Sequence, residues 1–265
     1  MSLLVLKITI SLIVGFIWIT ASSVFAEKLG PRLGGVVAGL PATMVVALFF
    51  IGLIEGETFA SQMTTVIPLA VAINSTFVVA FIALSKRLSV VVSLVVSLVF
   101  WFYLMFFISQ NHTSFFSTNL VISFAIIFCS YFILEKIMKI ATVSGKKITY
   151  NTNQIIVRGI IGGGVIGFSV IMSKLSGPVF AGIFASFPAL TVAMILIIYR
   201  TQTVEFLHSL LKNFIISGTV NVIVFTTCIR FTFPIFGIYV GTVIALVTSG
   251  VTAYCMYYWI GKRLS

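Results

Sequence analysis

The sequence predicts an all-α polytopic membrane protein of about nine transmembrane helices: two inverted four-helix repeats joined by a connecting helix. Three observations predict it. Apolar residues come in runs of about 20, long enough to cross roughly 30 Å of hydrocarbon. Charge is scarce, with 8% charged and 60% hydrophobic residues and a mean hydropathy of +1.23; a soluble domain carries roughly 25% charged residues. Finally, the chain matches itself at a fixed shift: Gly30-Pro31 falls on Gly177-Pro178, and Pro41-Ala42 falls on Pro188-Ala189.

The segments, in order, begin with 3–26. Lys7, an apolar body and Ser23-Val24-Phe25-Ala26 before Glu27 imitate a signal peptide. The body exceeds the usual 7–15 residues of such a signal, so it reads as a retained span. Segment 33–54 follows Gly30-Pro31 and carries Pro41. Segment 65–85 carries Asn74 and stops at Lys86-Arg87, and 88–108 and 118–138 follow. The longest polar stretch, from Glu135 to about Gln154, is the one convincing linker. Beyond it lie 155–173 with Gly162-Gly163-Gly164, 178–199 with Pro188, 209–229 with Asn221, and 235–260. In lipid the backbone must satisfy its own hydrogen bonds, so each segment is expected to be helical.

Sidedness follows from Lys and Arg. With the N-terminus outside and the C-terminus inside, all but three (Lys7, Lys174 and Arg230) of the 16 fall on the cytoplasmic side. Such a bias is how membrane proteins fix orientation, and it supports an odd number of spans. The net charge of +11 therefore reflects topology; no basic-aromatic platform for nucleic acid is present.

The self-match continues through Gly35 on Gly182, Ala38 on Ala185, Val45 on Val192, Phe59 on Phe206 and Asn74 on Asn221, with Gly15 on Gly162 upstream. Residues 1–110 thus form a first four-helix repeat, 111–154 a connecting helix and linker, and 155–265 a second repeat. Five spans separate the copies, so they enter the membrane with opposite polarity, the plan of many secondary transporters.

Leu33-Gly34-Gly35-Val36-Val37-Ala38-Gly39-Leu40-Pro41-Ala42-Thr43, and its counterpart from Ala181 to Leu190, carry a family resemblance. Each half resembles the GlpM-like group of small four-helix bacterial inner-membrane proteins. Two departures stand out: two copies occur in one chain, and Leu190 stands where the first copy has Thr43. The resemblance implies architecture and a bacterial cytoplasmic-membrane location, and no settled activity.

Candidate functional residues are the matched intramembrane pairs. Pro41 and Pro188 lie inside apolar segments, where a proline removes a backbone hydrogen bond and exposes the carbonyl four residues back, at Val37 and Phe184. Such breaks either bind polar substrates or serve as packing kinks. Asn74 and Asn221 must face the bundle interior, as inter-helix hydrogen bonds or as the lining of a substrate path. Thr43 and Thr191 join the substrate-binding candidates, and Ser75, Thr76, Ser217 and Thr219 extend either role. Gly35, Gly39, Gly182 and Ser186 stand at small-xxx-small spacing and read as helix packing.

No enzyme is expected. No span holds a central carboxylate, a nucleophile–base constellation or a nucleotide-binding glycine loop. His112 and His208 are placed in loops on opposite sides, and Cys129, Cys228 and Cys255 are packing residues, so neither metal nor cofactor is expected. The expected partners are the bilayer and a small polar solute or lipid. The functional reading is a permease working by alternating access, with a non-transporting envelope scaffold as the alternative.

Overall fold

The structure is a computed structural model describing residues 3–28, 40–111, 114–141, 143 and 151–264. Every regular element among them is helical. In order they are α1 (Leu3–Lys28), α2 (Ala42–Glu55), α3 (Glu57–Met63), α4 (Ile67–Ser85), α5 (Val90–Asn111), α6 (Phe116–Phe132) with a π-helical turn at Ile133–Ile137, α7 (Thr152–Ala185), α8 (Ala189–Thr201) and α9 (Val204–Leu264). Among the described residues, six helical stretches are long and apolar enough to cross a bilayer. Helix α2 is apolar but shorter.

Two of the helices fold back on themselves at a glycine. In α7, Gly177 has φ 78° and ψ −174°, and Phe168 stacks edge-on to Phe184 with ring centroids 4.8 Å apart. A straight helix would hold those rings roughly 24 Å apart. In α9, Gly237 has φ 75° and ψ 174°, and the Ser249 hydroxyl donates to Asn221 Oδ1 at 3.0 Å. A straight helix would separate them by roughly 42 Å. Only glycine occupies this region without strain, because any Cβ collides there with the backbone.

Helix α4 lies at the centre, with Phe77, Phe81 and Ile82 fully buried against Trp101 of α5 and against Leu207 and Leu211 of α9. A second cluster joins Leu48 and Ile51 of α2, Ile166 and Ala185 of α7, and Phe225 and Phe233 of α9. Outward-facing surfaces are apolar. Tyr239, Val243, Val247 and Val251 form an exposed stripe along the second limb of α9. The i, i+4 spacing puts them on one face, suited to contact with acyl chains.

Helix α1 packs along the first limb of α7 through glycines. A Cβ on Gly15 would strike Ile166, and a Cβ on Gly162 would strike Ile19. One on Gly163 would meet Leu12 O and Phe16 N, and one on Gly159 would meet Phe16 and Thr20. Close approach of two backbones gains dispersion contact where lipid supplies no hydrophobic drive.

Two ion pairs tie separate elements together. Lys174 Nζ lies 2.9 Å from Glu55 Oε2. Lys212 Nζ lies 3.0 Å from Glu135 Oε2, on the π-helical turn, and also donates to the Ile140 carbonyl. Lys212 sits inside α9, within the segment 209–229 expected to be helical, and is 4% exposed. One sequence expectation changes here. His208 is also helical and buried, with Nε2 2.8 Å from Ser85 Oγ. His208, Ser209 and Lys212 in α9's first turns face other helices instead of water, which the composition of that segment alone does not reveal.

Candidate functional site

The two prolines do not kink continuous helices; each sits immediately before a new one. Pro41 has φ −78° and ψ 61° and precedes α2, and Pro188 has φ −75° and ψ 45° and precedes α8. Both lie close to the inverse γ-turn, and both make its hydrogen bond. Ala42 N–H donates to Leu40 O at 2.8 Å, and Ala189 N–H donates to Phe187 O at 2.7 Å. The proline fixes φ and disfavours helical geometry in the residue before it, so the chain must turn here and restart. The expected free carbonyl at Phe184 is therefore not free: it accepts from Phe187 N–H at 3.1 Å. Val37 lies outside the described residues, as do Gly35 and Gly39.

Because each helix starts afresh, its first N–H groups have no intrahelical partner. Val45 and Val192 close the first turns onto Pro41 O and Pro188 O. Neither start has a side-chain cap. Thr43 and Met44 on α2, and Leu190 and Thr191 on α8, keep backbone N–H groups without an acceptor among the described residues.

Both helix starts open on one cavity, with about 620 Å³ of empty space, part of it continuous with the outside. Its wall comprises Leu40 to Met44, Val71 and Asn74 of α4, Ala185 to Pro188, Leu190 and Thr191, and Phe214, Gly218, Thr219 and Val222 of α9. Of the predicted substrate-binding residues, Pro41, Thr43, Asn74, Pro188 and Thr191 meet here. Asn221 does not line the cavity. It is fully buried one turn away, with Oδ1 engaged by Ser249 of the returning limb.

Asn74 is held on both sides. Its Nδ2 donates to Ser186 O at 2.9 Å, and its Oδ1 accepts from Trp101 Nε1 at 2.7 Å. Ser186 ends α7, where carbonyls lose their helical partners, so Asn74 covers the negative end of that helix. Trp101, which sequence reasoning did not single out, is fully buried and stacks edge-on against Phe187 at 5.2 Å.

The hydroxyls separate into two groups. Ser75, Thr76 and Ser217 bond back to carbonyls of their own helices. Thr43, Thr191 and Thr219 have no hydrogen-bond partner among the described residues. Thr191 and Thr219 are each 5% exposed. Among the described residues, no Asp, Glu, Lys, Arg or His lines the cavity. Among the described residues no group of His, Cys, Asp or Glu could hold a metal ion.

Gly182 packs closely against neighbouring elements. A Cβ on Gly182 would meet Val66 and the Met63 carbonyl, so this limb of α7 lies on the α3–α4 corner. Ser186 Oγ turns back to Gly182 O at 2.7 Å.

Residues 8–114, covering nearly all of α1 and reaching past the end of α5, match the family described as protein of unknown function (DUF3147). No curated protein and no solved structure matches the chain.

Proposed function

We propose that this protein is a permease for a small polar solute or a lipid headgroup, working by alternating access between two inverted halves of a nine-span bundle. The observation that carries the reading is the cavity where two helices restart. A scaffold has no need of a space between helices that reaches two helix starts and their hydroxyls, whereas a transporter built on broken helices binds its substrate there.

The arrangement of contacts supports two halves around a pseudo-twofold axis. Such an axis requires self-reciprocal contacts, residue i to partner j and residue j to partner i. With the shift of 147 positions that aligns Gly30 with Gly177, Gly15 against Ile166 exchanges into Ile19 against Gly162. Leu12 against Gly163 exchanges in the same way into Phe16 against Gly159. The cavity wall pairs likewise: Leu40 with Phe187, Pro41 with Pro188, Thr43 with Leu190, Met44 with Thr191, and Val71 with Gly218. Both γ-turns recur at matched positions. The family match falls on the first proposed repeat, and the GlpM-like resemblance belongs with this reading. In the same reading, the Lys and Arg bias sets the protein in a bacterial cytoplasmic membrane with its N-terminus outside and its C-terminus inside.

The test is reconstitution into liposomes, with flux measured across a solute library and lipid scrambling measured with labelled phospholipids. Flux or scrambling is expected, reduced by Asn74→Ala combined with Asn221→Ala. A folded, reconstituted protein that moves no solute and no lipid would leave only the scaffold.

A further inference from the structure

We infer that the cavity binds a single negatively charged group, held by helix ends and hydroxyls. The inference rests on the permease reading and names the charge of its substrate. Four backbone N–H groups without acceptors among the described residues, on Thr43, Met44, Leu190 and Thr191, stand at this one cavity. They belong to two independent helix starts, α2 with 14 residues and α8 with 13. Each start carries roughly half an elementary positive charge. Two together amount to about one unit, the complement of a monoanion.

The second observation is independent of the helix ends. The Thr191 and Thr219 side chains are 95% buried, lie at the cavity wall and have no hydrogen-bond partner among the described residues. Both hydroxyl oxygens are open to the cavity and not sealed in the core, so an acceptor on a bound ligand can pair with them. A carboxylate or phosphodiester offers about four lone-pair sites on two oxygens, which these N–H and O–H groups can fill.

The acceptors that would welcome a cation are already occupied. Asn74 Oδ1 takes the Trp101 N–H, and the Ser186 carbonyl takes the Asn74 amide. Phe184 O takes the Phe187 N–H. Among the described residues no carboxylate lines the wall. Asn74 therefore acts as a positioning residue. It masks the negative end of α7 beside the cavity and leaves the two positive starts to set its potential.

The experiment uses the full chain. Acetate, chloride, choline and glycerol are titrated against thermal stability at constant ionic strength, and the same solutes are driven across proteoliposomes. Scrambling of labelled phosphatidylglycerol and phosphatidylcholine runs alongside. A stabilising shift and flux are expected for acetate, or scrambling confined to phosphatidylglycerol, which separates a soluble carboxylate from a lipid phosphodiester. Thr191→Val should weaken the anion response at least about tenfold, as loss of a hydrogen bond to a charged group does, and Thr191→Ser should restore it. If choline or glycerol binds and moves while no anion does, the charge assignment fails and the permease stands. If anions stabilise the fold and nothing moves, the site stands without transport. An anion response unaffected by Thr191→Val, in a variant of normal stability, overturns the assignment of this cavity.

Discussion

The two matched asparagines should differ sharply in how strongly each is coupled to its neighbour. Asn74 accepts from the Trp101 indole at 2.7 Å, and Asn221 accepts from the Ser249 hydroxyl at 3.0 Å. Trp101 is fully buried, with Phe102 and Phe187 against its ring. Its N–H is fixed to a rigid ring and cannot seek another acceptor. A buried donor left unsatisfied costs about 1–3 kcal/mol. Inter-helix bonds in membranes average about 0.6 kcal/mol and reach about 1.7, because groups that can move find new partners. Trp101 cannot move, so the Asn74–Trp101 coupling should lie near the upper figure, at about 1.5 kcal/mol. Ser249 can rotate its hydroxyl onto the carbonyl four residues back, so the Asn221–Ser249 coupling should be about 0.6 kcal/mol or less. Two double-mutant cycles measure these terms: Asn74→Ala with Trp101→Phe, and Asn221→Ala with Ser249→Ala. The cycle cancels whatever other bonds either asparagine makes. Equilibrium unfolding in mixed micelles of increasing SDS fraction, followed by far-ultraviolet circular dichroism, supplies the free energies. A Ser249 coupling equal to or larger than the Trp101 coupling refutes the reasoning. So does a Trp101 coupling below about 0.5 kcal/mol.

Two further outcomes use the same assay. Gly163→Ala should destabilise by about 1–3 kcal/mol, because its Cβ meets the backbone atoms Leu12 O and Phe16 N, which cannot give way. Gly164→Ala meets nothing within 4 Å and should be neutral or stabilising by up to about 1 kcal/mol; equal effects would sink the close-packing account of α1. At the other polar contact, Glu135→Gln should cost about 1–2 kcal/mol, discounted because Glu135 is 39% exposed, since it leaves the buried Lys212 ammonium without its countercharge. Lys212→Met removes that charge altogether and should cost less; the reverse order would show that the lysine stem, and not its charge, matters.

Much of the architecture is legible in residue order, for physical reasons. Lipid forces long apolar runs into helices, so α1, α5 and α6 follow from run length alone. The turn at Gly177 is announced by Gly177-Pro178, and the cavity by the matched prolines. The nature of the proline breaks was harder to see. Hydropathy is blind to them, since Phe187-Pro188-Ala189 is as apolar as a helix interior. The restriction that proline places on Leu40 and Phe187 was the available signal for a restart rather than a kink. Trp101 was out of reach because its partner lies 27 residues away on another helix. The burial of Lys212 was equally hidden, since it depends on a carboxylate 77 residues distant. The match of Asn74 with Asn221 did not reveal that only Asn74 of the two lines this cavity, because α9 turns back on itself beside Asn221.

The glycine-lined contact between α1 and α7 also constrains synthesis. Helix α1 emerges first, and the limb of α7 that receives it is made nearly 150 residues later. At about 5–20 residues per second, roughly 10–30 s pass before that partner exists. Throughout this interval α1 must hold its place in lipid alone. Its surface is suited to the wait: Val5, Leu6, Ile10, Leu12, Ile13, Val14, Ile17 and Trp18 remain exposed even in the finished fold. A helix recruited early and docked late needs anchorage all round and a smooth face for its eventual neighbour, and Gly15 provides that face without interrupting the apolar run.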